Sequence, residues 1–138
     1  MLLFEISGKV AYHGTSSDRA TKILDNGFSL DTLGEKTNDK ISGVSMTIDR
    51  AIATEHAEYA AEEFGGNPVV LSVDISHLNI ADGNKTFALW DKLGSLASAL
   101  RHLRKQFDGA ELFYKDEGIE EFEIIVFDPK KISKIVTD

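Results

Sequence analysis

Glu120-Glu121-Phe122-Glu123-Ile124-Ile125-Val126-Phe127-Asp128-Pro129 sets an acidic cluster directly against an apolar run. Ile124, Ile125, Val126 and Phe127 are β-branched or aromatic, a composition that suits a buried strand. Pro129 has no amide for a central ladder, so the strand is expected to end there. Side chains alternate along a strand, which puts Glu121 and Glu123 on one face. Two carboxylates at the mouth of a buried strand are unfavourable unless they are solvated, paired or used. The plain alternative is a strand end with two surface glutamates.

Outward from this stretch, the bulk properties describe a soluble globular protein. The chain has 138 residues, 42% apolar and 28% charged, enough for one domain spanning 1–138 with a substantial core. No apolar run approaches the ~18 residues of a membrane span, and Leu2-Leu3-Phe4 is too short and too soon followed by Glu5 for a signal peptide. There is no cysteine, which excludes disulfides, thiolate metal sites and a cysteine nucleophile. A cytoplasmic setting fits that composition, whether the protein is made there or delivered into a target cell. The net charge of −8 argues against general nucleic-acid binding, which is driven by lysine and arginine. Arg101, Arg104 and Lys105 read as cations favoured near a helix end.

In chain order, residues 2–6 and 9–12 read as short strands. A glycine turn at His13-Gly14-Thr15 follows, with Ser16 or Ser17 capping a helix that runs to about Asn26 and stops at Gly27. Ala20, Ile23 and Leu24 share its inner face, and Phe28 and Leu30 tuck onto the core. Residues 31–40 form a polar surface loop. Residues 41–48 are a strand with Val44, Met46 and Ile48 on one face and Ser45 and Thr47 on the other. Asp49 caps a helix over 50–64 that carries His56 and Tyr59 and stops at Gly65-Gly66. Residues 69–75 are a strand and 79–85 a loop. Thr86 caps a third helix along which Leu89, Leu93, Leu96, Leu100 and Leu103 form a single core stripe. Strands at 110–114, through the opening stretch, and at 132–136 complete one α+β domain.

Three polar groups sit where strands meet turns or present a polar face: His13, Ser45 with Thr47, and Glu121 with Glu123. No G-x-S-x-G elbow, P-loop or G-x-G-x-x-G fingerprint is present. No histidine pair has the i, i+4 spacing of a zinc protease, and no metal site is expected.

In this order the three groups resemble the motifs of the ADP-ribosyltransferase superfamily. Tyr12-His13-Gly14-Thr15 is similar to the histidine version of its first motif, seen in diphtheria toxin and the poly(ADP-ribose) polymerases. Gly43-Val44-Ser45-Met46-Thr47 mixes the Gly-aliphatic-Tyr-Phe and Ser-Thr-Ser forms of the second. Glu123-Ile124-Ile125-Val126-Phe127-Asp128-Pro129 resembles the third, and Phe107-Asp108-Gly109-Ala110 also looks like that family. Glu121-Phe122-Glu123 resembles the E-x-E motif of arginine-specific transferases, so the set is a hybrid and the acceptor stays open. The resemblance covers roughly residues 10–136.

The resemblance implies a split, mainly antiparallel β core with flanking helices, and a cleft for NAD, consumed as a substrate. It implies transfer of ADP-ribose to a protein side chain with release of nicotinamide. A minimal domain without an added module favours mono- over poly-transfer. Glu123 would face the positive charge that develops on the ribose, and His13 would hold a ribose hydroxyl. Gly14 would leave room for its backbone to pair with the nicotinamide amide, with Thr15 beside it. Ser45 and Thr47 would orient Glu123. Ser45 stands where the histidine branch has an aromatic ring, so Tyr59 or His56 would stack on nicotinamide. Glu121 would position or deprotonate the acceptor, for instance a guanidinium. Rival readings are an NAD glycohydrolase, an inert binding or inhibitory module of the same fold, and a nucleic-acid-modifying transferase.

Overall fold

The computed structural model describes residues 10–28, 43–116, 119–132 and 134–138, without the side chains of 113–116 and 119–122. The strand expected at 2–6, Leu30 and the loop 31–40 lie outside the described residues, as does the Glu121 side chain.

The acidic-apolar stretch forms β6 (Ile119–Val126). It sits inside the sheet, between β2 (Val44–Thr47) and β5 (Gly109–Asp116). Both pairings are antiparallel, so Glu123 lies opposite Thr47 on one side and Leu112 on the other. Asp128 and Pro129 end the strand as expected: the Asp128 side chain accepts from the Lys130 amide at 3.0 Å and opens a 3-10 turn, Pro129–Lys131.

The other strands are β1 (Val10–Ser16), β3 (Pro68–Asp74), β4 (Ile80–Ala81) and β7 (Ile135–Thr137). Among the described residues the seven form one sheet in the order β4-β5-β6-β2-β1-β3-β7. All neighbours are antiparallel except β4 and β5. The α+β class expected from the sequence is therefore present. β1 is longer than expected. It runs through His13 and Gly14 to Ser16 because β3 continues its ladder, with Gly14 opposite Val70 and Ser16 opposite Pro68.

Helix α1 (Ser17–Asn26) buries Ala20 and Ile23, and Phe28 folds back beside them. They pack on the side chains of Ala11, Val44, Met46 and Ile124 to make the main core. Leu24 is 43% exposed, so the helix presents a narrower apolar stripe than the sequence suggested. Ser16 takes the cap position, but its hydroxyl makes no cap bond.

Helix α2 (Arg50–Phe64) begins as expected, with the Asp49 side chain accepting from the Ala51 amide at 2.9 Å. It ends at Gly65, whose φ of 85° suits glycine. Ile48 is exposed rather than aligned with Val44 and Met46. The strand stops at Thr47, whose hydroxyl accepts from the Asp49 amide at 3.0 Å and turns the chain toward α2.

The leucine-rich segment is two helices, α3 (Gly83–Leu93) and α4 (Leu96–Leu103), broken at Gly94 with φ 86°. Asp82, not Thr86, caps α3. The Asp82 carboxylate accepts from the Lys85 amide, and Glu111 of β5 accepts from the Gly83 amide. Both fix the helix start one turn earlier than Thr86 would. Ala97, Leu100 and Leu103 of α4 close a second core against Ala110 and Leu112 of β5, while Leu93 is left 41% exposed. Among the described residues no helix is long and apolar enough to cross a membrane.

Candidate functional site

Antiparallel β1 and β2 are in register at Tyr12 and Thr47. One residue further along β1, the His13 ring reaches across, and its Nδ1 lies 2.9 Å from the Ser45 carbonyl oxygen. A carbonyl only accepts, so Nδ1 carries the hydrogen. The Ser45 hydroxyl in turn donates to a carboxylate oxygen of Glu123. Among the described residues the second oxygen of that carboxylate has no hydrogen-bond partner. Three motifs separated by 32 and 78 residues thus meet in one hydrogen-bonded chain: His13, Ser45, Glu123.

His13 is half-buried by exposed area, with its ring edge-on to Phe28 at 5.1 Å between centroids. Burial is the largest influence on the imidazole and lowers its pKa from 6.5. The Ser45 carbonyl pulls upward, and nearby His56 and Arg19 push down again. The ring is therefore neutral at pH 7, and Nε2 keeps a lone pair that accepts a hydrogen bond.

This shift has a stability consequence with a defined sign. Well above pH 6.5 the imidazole is neutral in both the folded and the unfolded chain. As the pH falls below 6.5, the unfolded chain takes up a proton that the folded chain resists, so stability is lost until the pH passes the lowered folded value. Urea unfolding at several pH values is expected to show the wild type losing stability relative to His13→Gln on acidification below 6.5. A constant difference between the two proteins would remove this account.

A cleft of about 260 Å³ opens beside this chain. His13, Gly14 and Thr15 of β1 form one wall, and His56 and Tyr59 of α2 form another. Tyr59 is 68% exposed, so its ring is not a core residue but a surface on which a ligand can lie. Five of the residues singled out from the sequence are thus brought together. Ser45, Thr47 and Glu123 are not part of this lining; Ser45 and Glu123 are linked to it through the His13–Ser45 hydrogen bond. Thr47 is 3% exposed and secures the start of α2.

Gly14 has a packing reason for its identity. A Cβ built there would collide with the Ala53 carbonyl oxygen and lie 2.6 Å from the Ala57 amide nitrogen. The glycine lets α2 press its backbone onto β1, which places His56 and Tyr59 opposite His13.

Arg19, Ala60, Glu63 and Phe64 also line the cleft and were not read as site residues. His56, Tyr59, Ala60 and Glu63 follow the i, i+3, i+4, i+7 spacing of one helix face, a signal available in the sequence. Arg19 carries no such signal, because only the packing of α1 beside α2 brings it there. Among the described residues no cluster of three or more His, Asp or Glu side chains could hold a metal ion.

No known protein-family model matches the chain, and no curated protein matches it at a significant level.

Proposed function

We propose that this chain is an NAD-dependent mono-ADP-ribosyltransferase that moves ADP-ribose from NAD to a protein side chain and releases nicotinamide. The observation that supports it is the His13–Ser45–Glu123 chain of hydrogen bonds beside a cleft walled by an aromatic residue. The ordered set of sequence signals converges in space, as residues that act together must.

In this reading NAD is a substrate. His13 Nε2 accepts a hydrogen bond from a ribose hydroxyl while Nδ1 is held by Ser45. Tyr59 or His56 stacks on nicotinamide. The bond between ribose C1′ and the nicotinamide nitrogen breaks, and its electron pair leaves with nicotinamide. Positive charge grows on the sugar, and the free Glu123 oxygen stabilises it there. An acceptor nitrogen, for instance of an arginine guanidinium, then bonds to C1′ and loses a proton. Glu121, two residues before Glu123 on β6, takes that proton or positions the acceptor. Thr47 fixes the strand end from which Ser45 holds Glu123. The reaction is placed in a cytoplasm, the chain's own or that of a target cell.

Incubation with NAD labelled in its adenylate part, with and without a cell lysate, tests the proposal. A labelled protein band with release of nicotinamide is the expected result. Free ADP-ribose alone would make the chain a glycohydrolase, and labelled nucleic acid would change the acceptor class. No turnover under any condition would leave a binding module and overturn the enzyme reading.

A further inference from the structure

We infer that Arg19 is the diphosphate-binding residue of the cleft, which takes a nucleoside diphosphate along its α1 side. The inference rests on the reading of the cleft as an NAD site and adds which wall meets the phosphates. Four observations carry it. First, Arg19 is in the first turn of the ten-residue helix α1, so its cation adds to the positive end of the helix dipole. Second, its guanidinium sits over the Phe64 ring, with the central carbon 3.8 Å from the centroid. Stacking uses the face of the group and leaves the N–H edges free for a bidentate contact. Third, among the described residues Arg19 has no carboxylate within ion-pair distance, in a chain of net charge −8. A cation left unpaired in so acidic a protein is suited to an anionic ligand. Fourth, Thr15 also lines the cleft and is only 3% exposed, yet no described residue hydrogen-bonds its hydroxyl. That hydroxyl is a second donor in the same lining.

Size agrees with a partial occupant. A cleft of about 260 Å³ is below the ~300–1,000 Å³ that encloses a whole ligand, so it receives one portion of a dinucleotide. Arg19 is the one lysine or arginine among the described lining residues, so the diphosphate is assigned to it. Glu63 shares the lining, but it is exposed, and water and salt screen its repulsion.

The test is calorimetric titration of the purified chain with ADP, NAD and nicotinamide riboside, which lacks the diphosphate. Arg19→Gln is expected to weaken ADP and NAD about tenfold or more, the range of a charge-assisted hydrogen bond, and to flatten their salt dependence. Nicotinamide riboside is expected to bind both proteins alike. Arg19→Lys keeps the charge but not the fork, and is expected to recover part of the loss. If Arg19→Gln melts early, Arg19→Lys measured at two salt concentrations carries the test alone. Equal ADP affinity in wild type and a folded Arg19 variant would overturn the inference, even with NAD turnover intact. Arg19-dependent ADP binding without NAD turnover would keep it and remove the transferase reading. A wild type that binds neither ADP nor NAD would end both.

Discussion

Glu123→Gln is expected to lower NAD turnover by about 10²–10³-fold while the protein stays folded and binds NAD nearly as well as the wild type. The amide oxygen of Gln can still accept from the Ser45 hydroxyl, so the bond between β2 and β6 has a replacement. What disappears is the charge. Bound NAD offers that carboxylate only hydroxyls, which an amide serves almost as well. The transition state offers a developing cation on the ribose, which an amide serves poorly. The loss therefore belongs in kcat and not in the dissociation constant. A glutamate that only tied β6 to β2 would behave differently. Its replacement by Gln would change stability by under about 0.5 kcal/mol and leave turnover intact. NAD turnover and thermal melting of one purified variant separate the two cases. A folded, fully active Glu123→Gln protein would remove the chemistry proposed for this site.

The companion change Ser45→Ala sharpens the same point. It deletes the hydroxyl that donates to Glu123 and leaves the backbone carbonyl that receives His13. A smaller fall in kcat than in Glu123→Gln is the outcome that fits a serine acting through the glutamate.

What the sequence disclosed depended on how local the cause was. The β6 strand, its stop at Asp128-Pro129, the Asp49 cap and the Gly65 stop are set within a few residues, and the structure has each of them. The link from His13 to Ser45 to Glu123 is long-range, yet its members were legible as an ordered set. The misplaced features have tertiary causes. β1 continues past Gly14 because β3 offers it a ladder there, whereas Gly14 alone reads as a turn. The leucine stripe runs on through Gly94, so nothing in its spacing announces that the helix breaks and turns Leu93 outward. Asp82 and Thr86 are both competent caps, and a distant carboxylate, Glu111, supports the earlier start. Arg19 entered the cleft unannounced for the same kind of reason.

Gly14→Ala is expected to destabilise the fold by about 3 kcal/mol, near the upper end for overpacking, and to lower the melting temperature by roughly 10 °C. The added methyl would meet the Ala53 carbonyl oxygen and the Ala57 amide, which are backbone atoms of α2. A crowded side chain can change rotamer, but a helix backbone must move as a body. Moving it would pull Ala53 and Ala57, both fully buried, away from the sheet and shift His56 and Tyr59 relative to His13. Gly27→Ala is a useful contrast. Gly27 has φ 79°, unfavourable for alanine, but an added Cβ meets nothing within 4 Å. That variant is expected to lose only about 1 kcal/mol, the backbone contribution alone. If Gly14 were glycine mainly to admit a cofactor, the ranking would differ. Gly14→Ala would then melt like the wild type and show its defect only as weaker NAD binding. Denaturation of both variants without ligand therefore decides whether β1 and α2 are held together by this close approach. A Gly14→Ala protein at least as stable as Gly27→Ala would refute the packing role.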